Sequence, residues 1–116
     1  MQIPKPSEAD KATFRSMVPD DPRVEVKAMF GNLGAFVNGN MFMGLFGSAV
    51  GVKLAPADVA ALMAIEGAGP FGPAERPMGG YVSVPASLVG SPGAALWIGR
   101  AMDYVGAMPP KPAARP

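Results

Sequence analysis

Histidine and cysteine are both absent from the 116 residues, and only 16% of them are charged. Without imidazole or thiol, the proton shuttle that titrates near neutrality, the thiolate nucleophile, disulfides and the common zinc ligand sets are all unavailable. The nine Asp and Glu residues stand singly or as Asp20-Asp21, with no spacing that brings two onto one apolar helix face. Asp20-Asp21-Pro22 reads as a solvated turn rather than a metal site, and Ser48 with Lys53 as a turn and a strand end rather than a Ser-Lys pair. The expectation is therefore no enzyme, no catalytic residue, no metal and no cofactor. The ten Lys and Arg are scattered, leaving a net charge of +1. No basic stripe points to nucleic acid, and no acidic tail to a mimic of it. The amino terminus carries no apolar signal segment, so a cytoplasmic location is expected.

What the chain does hold is apolar and concentrated in residues 24–54. Asn38-Gly39, between Ala35-Phe36-Val37 and Met41-Phe42-Met43, is a strong hairpin signal, because both central residues of a type I′ turn need positive φ. A two-residue loop sets Val37 opposite Asn40, Phe36 opposite Met41, Ala35 opposite Phe42 and Gly34 opposite Met43. A second turn at Gly47-Ser48 sets Phe46 opposite Ala49, Leu45 opposite Val50, Gly44 opposite Gly51 and Met43 opposite Val52. Side chains alternate across a sheet, so one face carries Phe36, Met41, Met43, Leu45, Val50, Val52 and Leu54, a core face. The other carries Ala35, Val37, Asn40, Phe42, Gly44, Phe46, Ala49, Gly51 and Lys53. There Gly44 and Gly51 leave bare backbone between Phe42 and Phe46. Either a helix or loop covers this second face, or it is an exposed apolar groove that docks a partner.

The run Lys27-Ala28-Met29-Phe30-Gly31, then residues 35–47 (AFVNGNMFMGLFG), then Val50-Gly51-Val52-Lys53-Leu54, resembles the N-terminal domain family of TfoX, the Sxy-type regulators of bacterial competence. The likeness extends to a helix before the stretch, Pro77-Met78-Gly79-Gly80-Tyr81-Val82 after it and a closing helix bearing Trp97, and covers about residues 7–108. It implies a two-layer α+β domain, with an antiparallel sheet of about four to five strands and the N-terminal and C-terminal helices packed mainly on one face. The family includes long regulators with a second, helical domain. Here the expectation is a stand-alone domain over residues 1–108 with a disordered Pro-rich tail over 109–116. At this length there is room for one core, burying roughly 65% of the unfolded chain's surface.

In chain order, Ser7 predicts an N-cap, with Phe14, Met17 and Val18 at helical spacing until Pro19. Residues 24–30 alternate as a first strand, and Gly31-Asn32-Leu33-Gly34 reads as a connecting turn rather than a phosphate loop, since hairpins follow where a helix N-terminus is needed. Residues 28–52 are 25 uncharged residues in a row. Three asparagines and six glycines interrupt them, so no membrane span is expected. Pro56 opens a second helix through Val59, Leu62, Met63 and Glu66 to Gly67. Residues 67–80, with five glycines and three prolines, form a long loop whose Phe71, Glu75, Arg76 and Met78 are candidate anchors. Residues 81–84 are a short strand and 85–88 a turn. Ser91 as N-cap and Pro92 at N1 start a helix to about Met108, with Ala94, Trp97, Ala101, Tyr104 and Met108 as one stripe, widened by Ile98, Met102 and Val105. Arg100 and Asp103 are spaced to pair on its polar side, at a gain of ~0.2–0.5 kcal/mol.

Three functions remain. The first is a non-enzymatic interaction or regulatory module that binds a protein partner, or another copy of itself, through Phe42, Gly44, Phe46, Gly51, Phe71 and Met78. The second is a DNA-associated transcriptional regulator, which would rely on Lys27, Lys53 and Arg76. The third is a small-molecule carrier or enzyme with the Gly/Pro loop as a lid.

Overall fold

A computed structural model describes residues 3–111. Six strands form one open antiparallel sheet: β1 (Val24–Met29), β2 (Asn32–Val37), β3 (Asn40–Phe46), β4 (Ala49–Lys53), β5 (Gly69–Pro70) and β6 (Tyr81–Ser83), in the order β1-β2-β3-β4-β6-β5. Three helices, α1 (Glu8–Met17), α2 (Pro56–Met63) and α3 (Ala95–Gly106), complete the α+β domain that the sequence implies. The strand beyond the expected four or five is β5, two residues of the Gly/Pro loop that pair with β6.

The β3–β4 hairpin has the register read from its turn, with Gly44 opposite Gly51 and Leu45 opposite Val50. The β2–β3 hairpin keeps it only next to Asn38-Gly39. Beyond Phe36↔Met41 the pairing jumps to Ala35↔Met43 and Gly34↔Gly44, leaving Phe42 as the extra residue of a β-bulge. A bulge turns two consecutive side chains toward one side. Phe42 and Met43 are accordingly both fully buried in the core, and the expected pairings Ala35–Phe42 and Gly34–Met43 do not form. The β1–β2 turn also differs from expectation. It is Phe30-Gly31, with φ of 50° and 83°, so β1 stops at Met29, while Asn32, Leu33 and Gly34 belong to β2 rather than to a connecting turn.

The core lies between one sheet face and the helices. Leu33, Ala35, Val37, Phe42, Met43, Leu45, Val50 and Val52 meet Phe14 of α1, Leu62 of α2, and Trp97, Ile98, Ala101, Met102 and Val105 of α3. In α1 the Ser7 hydroxyl accepts from Asp10 N–H at 3.0 Å, and Asp10 Oδ2 accepts from Ser7 N–H at 2.9 Å, a reciprocal cap. Ser91 plays no such part. Its hydroxyl donates to Leu88 O at 2.8 Å, and α3 is entered through a 3₁₀ turn over Pro92–Ala94. Met63 points outward from α2 and is 43% exposed, because Leu62 takes the core position. Arg100 pairs not with Asp103 but with Asp58 of α2 at 3.1 Å. After α3, Lys111 N–H donates to Asn38 O at 2.8 Å, and Asn40 Nδ2 donates to Pro109 O at 3.1 Å, which ties 109–111 to the β2–β3 hairpin. The remainder of the predicted tail, 112–116, lies outside the described residues. No helix among the described residues is long and apolar enough to cross a membrane.

Candidate functional site

The sheet face away from the helices holds most of the residues singled out from sequence. Gly44 and Gly51 face each other across β3 and β4, and the Phe71 ring fills the gap: a Cβ on Gly51 would overlap the ring, and one on Gly44 would come within 3.4 Å of it. Phe71 is 2% exposed. Its ring meets Phe46 edge-on at 6.2 Å between centroids and Tyr81 at 6.0 Å. The loop that delivers it is closed by its own backbone, with Met78 N–H donating to Phe71 O at 2.8 Å. One edge of that loop is held at β5, where Ser83 Oγ donates to Pro70 O at 2.9 Å. Loop coverage and open groove are thus both present on this face. Phe71 covers the glycines, and the groove opens beside it.

That groove has a volume of about 420 Å³ and is lined by Ile3, Met29, Phe30, Met41, Gly44, Phe46, Phe71, Pro73 and Met78, together with Asn32, Leu33 and Leu45. Asn32 is the one polar residue in this lining, and its side chain is occupied. Oδ1 accepts from Gly47 N–H at 2.9 Å and Nδ2 donates to Pro4 O at 3.1 Å. Of the six residues proposed from sequence, Gly44, Phe46, Phe71 and Met78 line the groove, and Gly51 lies on the same face beneath the Phe71 ring. Phe42 does not, because the bulge drives it into the core. The same bulge moves Met41 to this face, beside Phe36 and Met29, whose side chains close over Gly34. Sequence reasoning missed Met29, Phe30, Met41, Ile3 and Pro73. The only available signal was Gly31, as the second residue of a tight turn, and Phe is a poor first residue for one.

Two lysines of this sheet face lie against aromatic rings. Lys27 Nζ lies 5.0 Å from the centroid of Phe36, and Lys53 Nζ lies 5.4 Å from that of Tyr81. Tyr81 reaches over β4 to donate its hydroxyl to Met41 O at 2.8 Å, and burial pushes its phenol up to about 12. Elsewhere, Asp21 in the Pro-bounded turn accepts hydrogen bonds from the side chain and the backbone N–H of Arg23, which hold its carboxyl down to about 2. Among the described residues, no group of three or more Asp or Glu is placed to hold a metal ion. Nothing in the groove lining is a nucleophile paired with a base. What the arrangement offers is an apolar concavity of adaptable thioether and ring surfaces.

No curated protein and no solved structure matches the chain. The family model described as the TfoX N-terminal domain matches residues 15–104, from within α1 to near the end of α3, and so takes in every strand, the Phe71 loop and all of the groove lining except Ile3. By that match the chain belongs to the TfoX N-terminal domain family.

Proposed function

We propose that this domain is a non-enzymatic protein-interaction module, of the kind expected in competence-type regulation, which docks an apolar segment of a partner in the groove beside Phe71. The observation that carries the reading is Phe30. It sits at the groove rim in the left-handed region, φ 50°, and is 83% exposed. A bulky residue at positive φ costs about 1–2 kcal/mol, and exposing its ring gains nothing for the isolated fold. Backbone strain kept at an exposed aromatic beside a concave apolar site supports a docking role for it.

The test is capture of a partner from lysate of the source cells by tagged protein, wild type beside Phe46→Asp. Phe46 is only partly buried and stands outside the helix-side core, so the variant is expected to keep its circular dichroism spectrum and to lose capture. Met43→Asp, which places a charge at a fully buried position, is expected to unfold the domain. If Phe46→Asp also unfolds, this face is core and the docking reading loses its main support; if it captures as well as wild type, the groove is not the docking surface. The family also suggests action at a promoter. Nuclease-sensitive recovery, and a salt dependence weakened by substitutions at Lys27, Lys53 and Arg76, would favour that reading instead.

A further inference from the structure

β1 is a sheet edge whose outward groups can be identified. Its turn to β2 has two residues, Phe30 and Gly31, both at positive φ, so Met29 and Asn32 form the hydrogen-bonded pair that closes it and the pair types alternate from there. With Val24↔Val37, Val26↔Ala35 and Ala28↔Leu33 in register, the peptide groups of Val24, Val26 and Ala28 face away from β2. An observed bond agrees: Val24 N–H, turned out of the ladder, donates to Asp21 O at 3.0 Å. The outward N–H groups of Val26 and Ala28, and the outward C=O groups of all three, meet no backbone partner among the described residues. Glu25 and Lys27 between them are exposed and lie 3.3 Å apart, and Val26 is 38% exposed.

We propose that β1 pairs antiparallel with β1 of a second copy about a two-fold axis at Val26, joining two sheets into one. In that register the two Val26 residues exchange both hydrogen bonds. Each Ala28 N–H reaches Val24 O of the partner subunit, and each Glu25 stands opposite Lys27 of the partner subunit in the close, non-hydrogen-bonded type of pair. An axis at Glu25 or at Lys27 would oppose like charges. An axis at Val24 would bring Pro22, which has no N–H, into the ladder, and one at Ala28 would run the ladder into the Phe30-Gly31 turn. A lone charge on an edge strand guards against pairing. Two opposite charges two residues apart select a single self-complementary register instead. The inference concerns the strand edge and does not depend on the groove.

Solution mass over a range of concentrations tests it, with the full chain. Wild type is expected to dimerise as concentration rises. Glu25→Lys and Lys27→Glu, both at exposed positions, should stay folded and each weaken dimerisation by roughly tenfold or more, since two attractive pairs become repulsive. The two single variants mixed together should form a heterodimer, and the double variant E25K/K27E should dimerise like wild type. Val26→Pro removes the donor at the axis without touching the β1–β2 ladder, and is expected to be monomeric. A wild type that stays monomeric throughout, a dimer unaffected by either charge variant, or single variants that fail to associate with each other would overturn the proposal.

Discussion

In the proposed docking role, Phe30 beside Gly31 would serve binding at the expense of local stability. A type I′ turn takes Asn before Gly at little cost, as Asn38-Gly39 does in the next hairpin, with φ of 53° and 76°. Phe in the same role gives no such relief. Phe30→Asn is therefore expected to raise stability by about 1 kcal/mol, read as a higher melting temperature, and to weaken partner capture. A variant both more stable and equally competent would remove Phe30 from the docking surface. Phe42 teaches the opposite lesson: strict alternation places it on the face away from the core, yet it is fully buried, because one inserted residue changes which side the following side chains take.

At the scale of elements, Asn32 couples three pieces that the chain keeps far apart. From the first position of β2 it holds the β3–β4 turn through Gly47 and the N-terminal segment through Pro4, and it is 5% exposed. Asn32→Ala would leave the buried Gly47 N–H without its acceptor. The expected loss is about 1–3 kcal/mol in a denaturation experiment, with the groove end loosened as Ile3 and Pro4 detach. The helices depend less on single bonds. Loss of the expected Ser91 cap is absorbed by a 3₁₀ entry, and α3 still buries the stripe read from its periodicity, since burial of Trp97, Ala101 and Val105 rather than the cap decides its position.

Across the whole molecule, one sheet face is sealed by three helices, and the other is covered only in part, by a single aromatic from a loop beside the groove. Tyr81 links that loop's end to β3, and its ionisation makes global stability depend on alkaline pH. Burial raises the phenol from 10.0 to about 12, so the folded state holds the proton more tightly than the unfolded chain. The contribution is complete below pH 10 and is lost as the pH rises through about 12. Tyr81→Phe is expected to cost about 1 kcal/mol at neutral pH, through the orphaned Met41 carbonyl, and to make the decline in stability above pH 10 shallower. An unchanged alkaline decline in the variant would show that other groups set it.

Sequence alone determined the family resemblance, the α+β class, the β3–β4 register, the Ser7 cap and the core stripe of α3. The α+β class came with the resemblance, whereas the register, the cap and the stripe rest on local spacing: a turn of known length, a capping residue beside its helix, a period of 3.6. Glycines at 44 and 51 likewise marked bare backbone on the second face, to be filled by a covering element or by a partner. What fills it was decided only by tertiary structure, because Phe71 arrives from a loop twenty residues further along the chain. The bulge at Phe42, the exchange of Phe36 and Met41 to the outer face, the Asn32 bonds and the pairing of Arg100 with Asp58 share that origin. In each case the partner is distant in sequence, and the competition between packing and local preference is settled by which contacts the folded chain brings within reach.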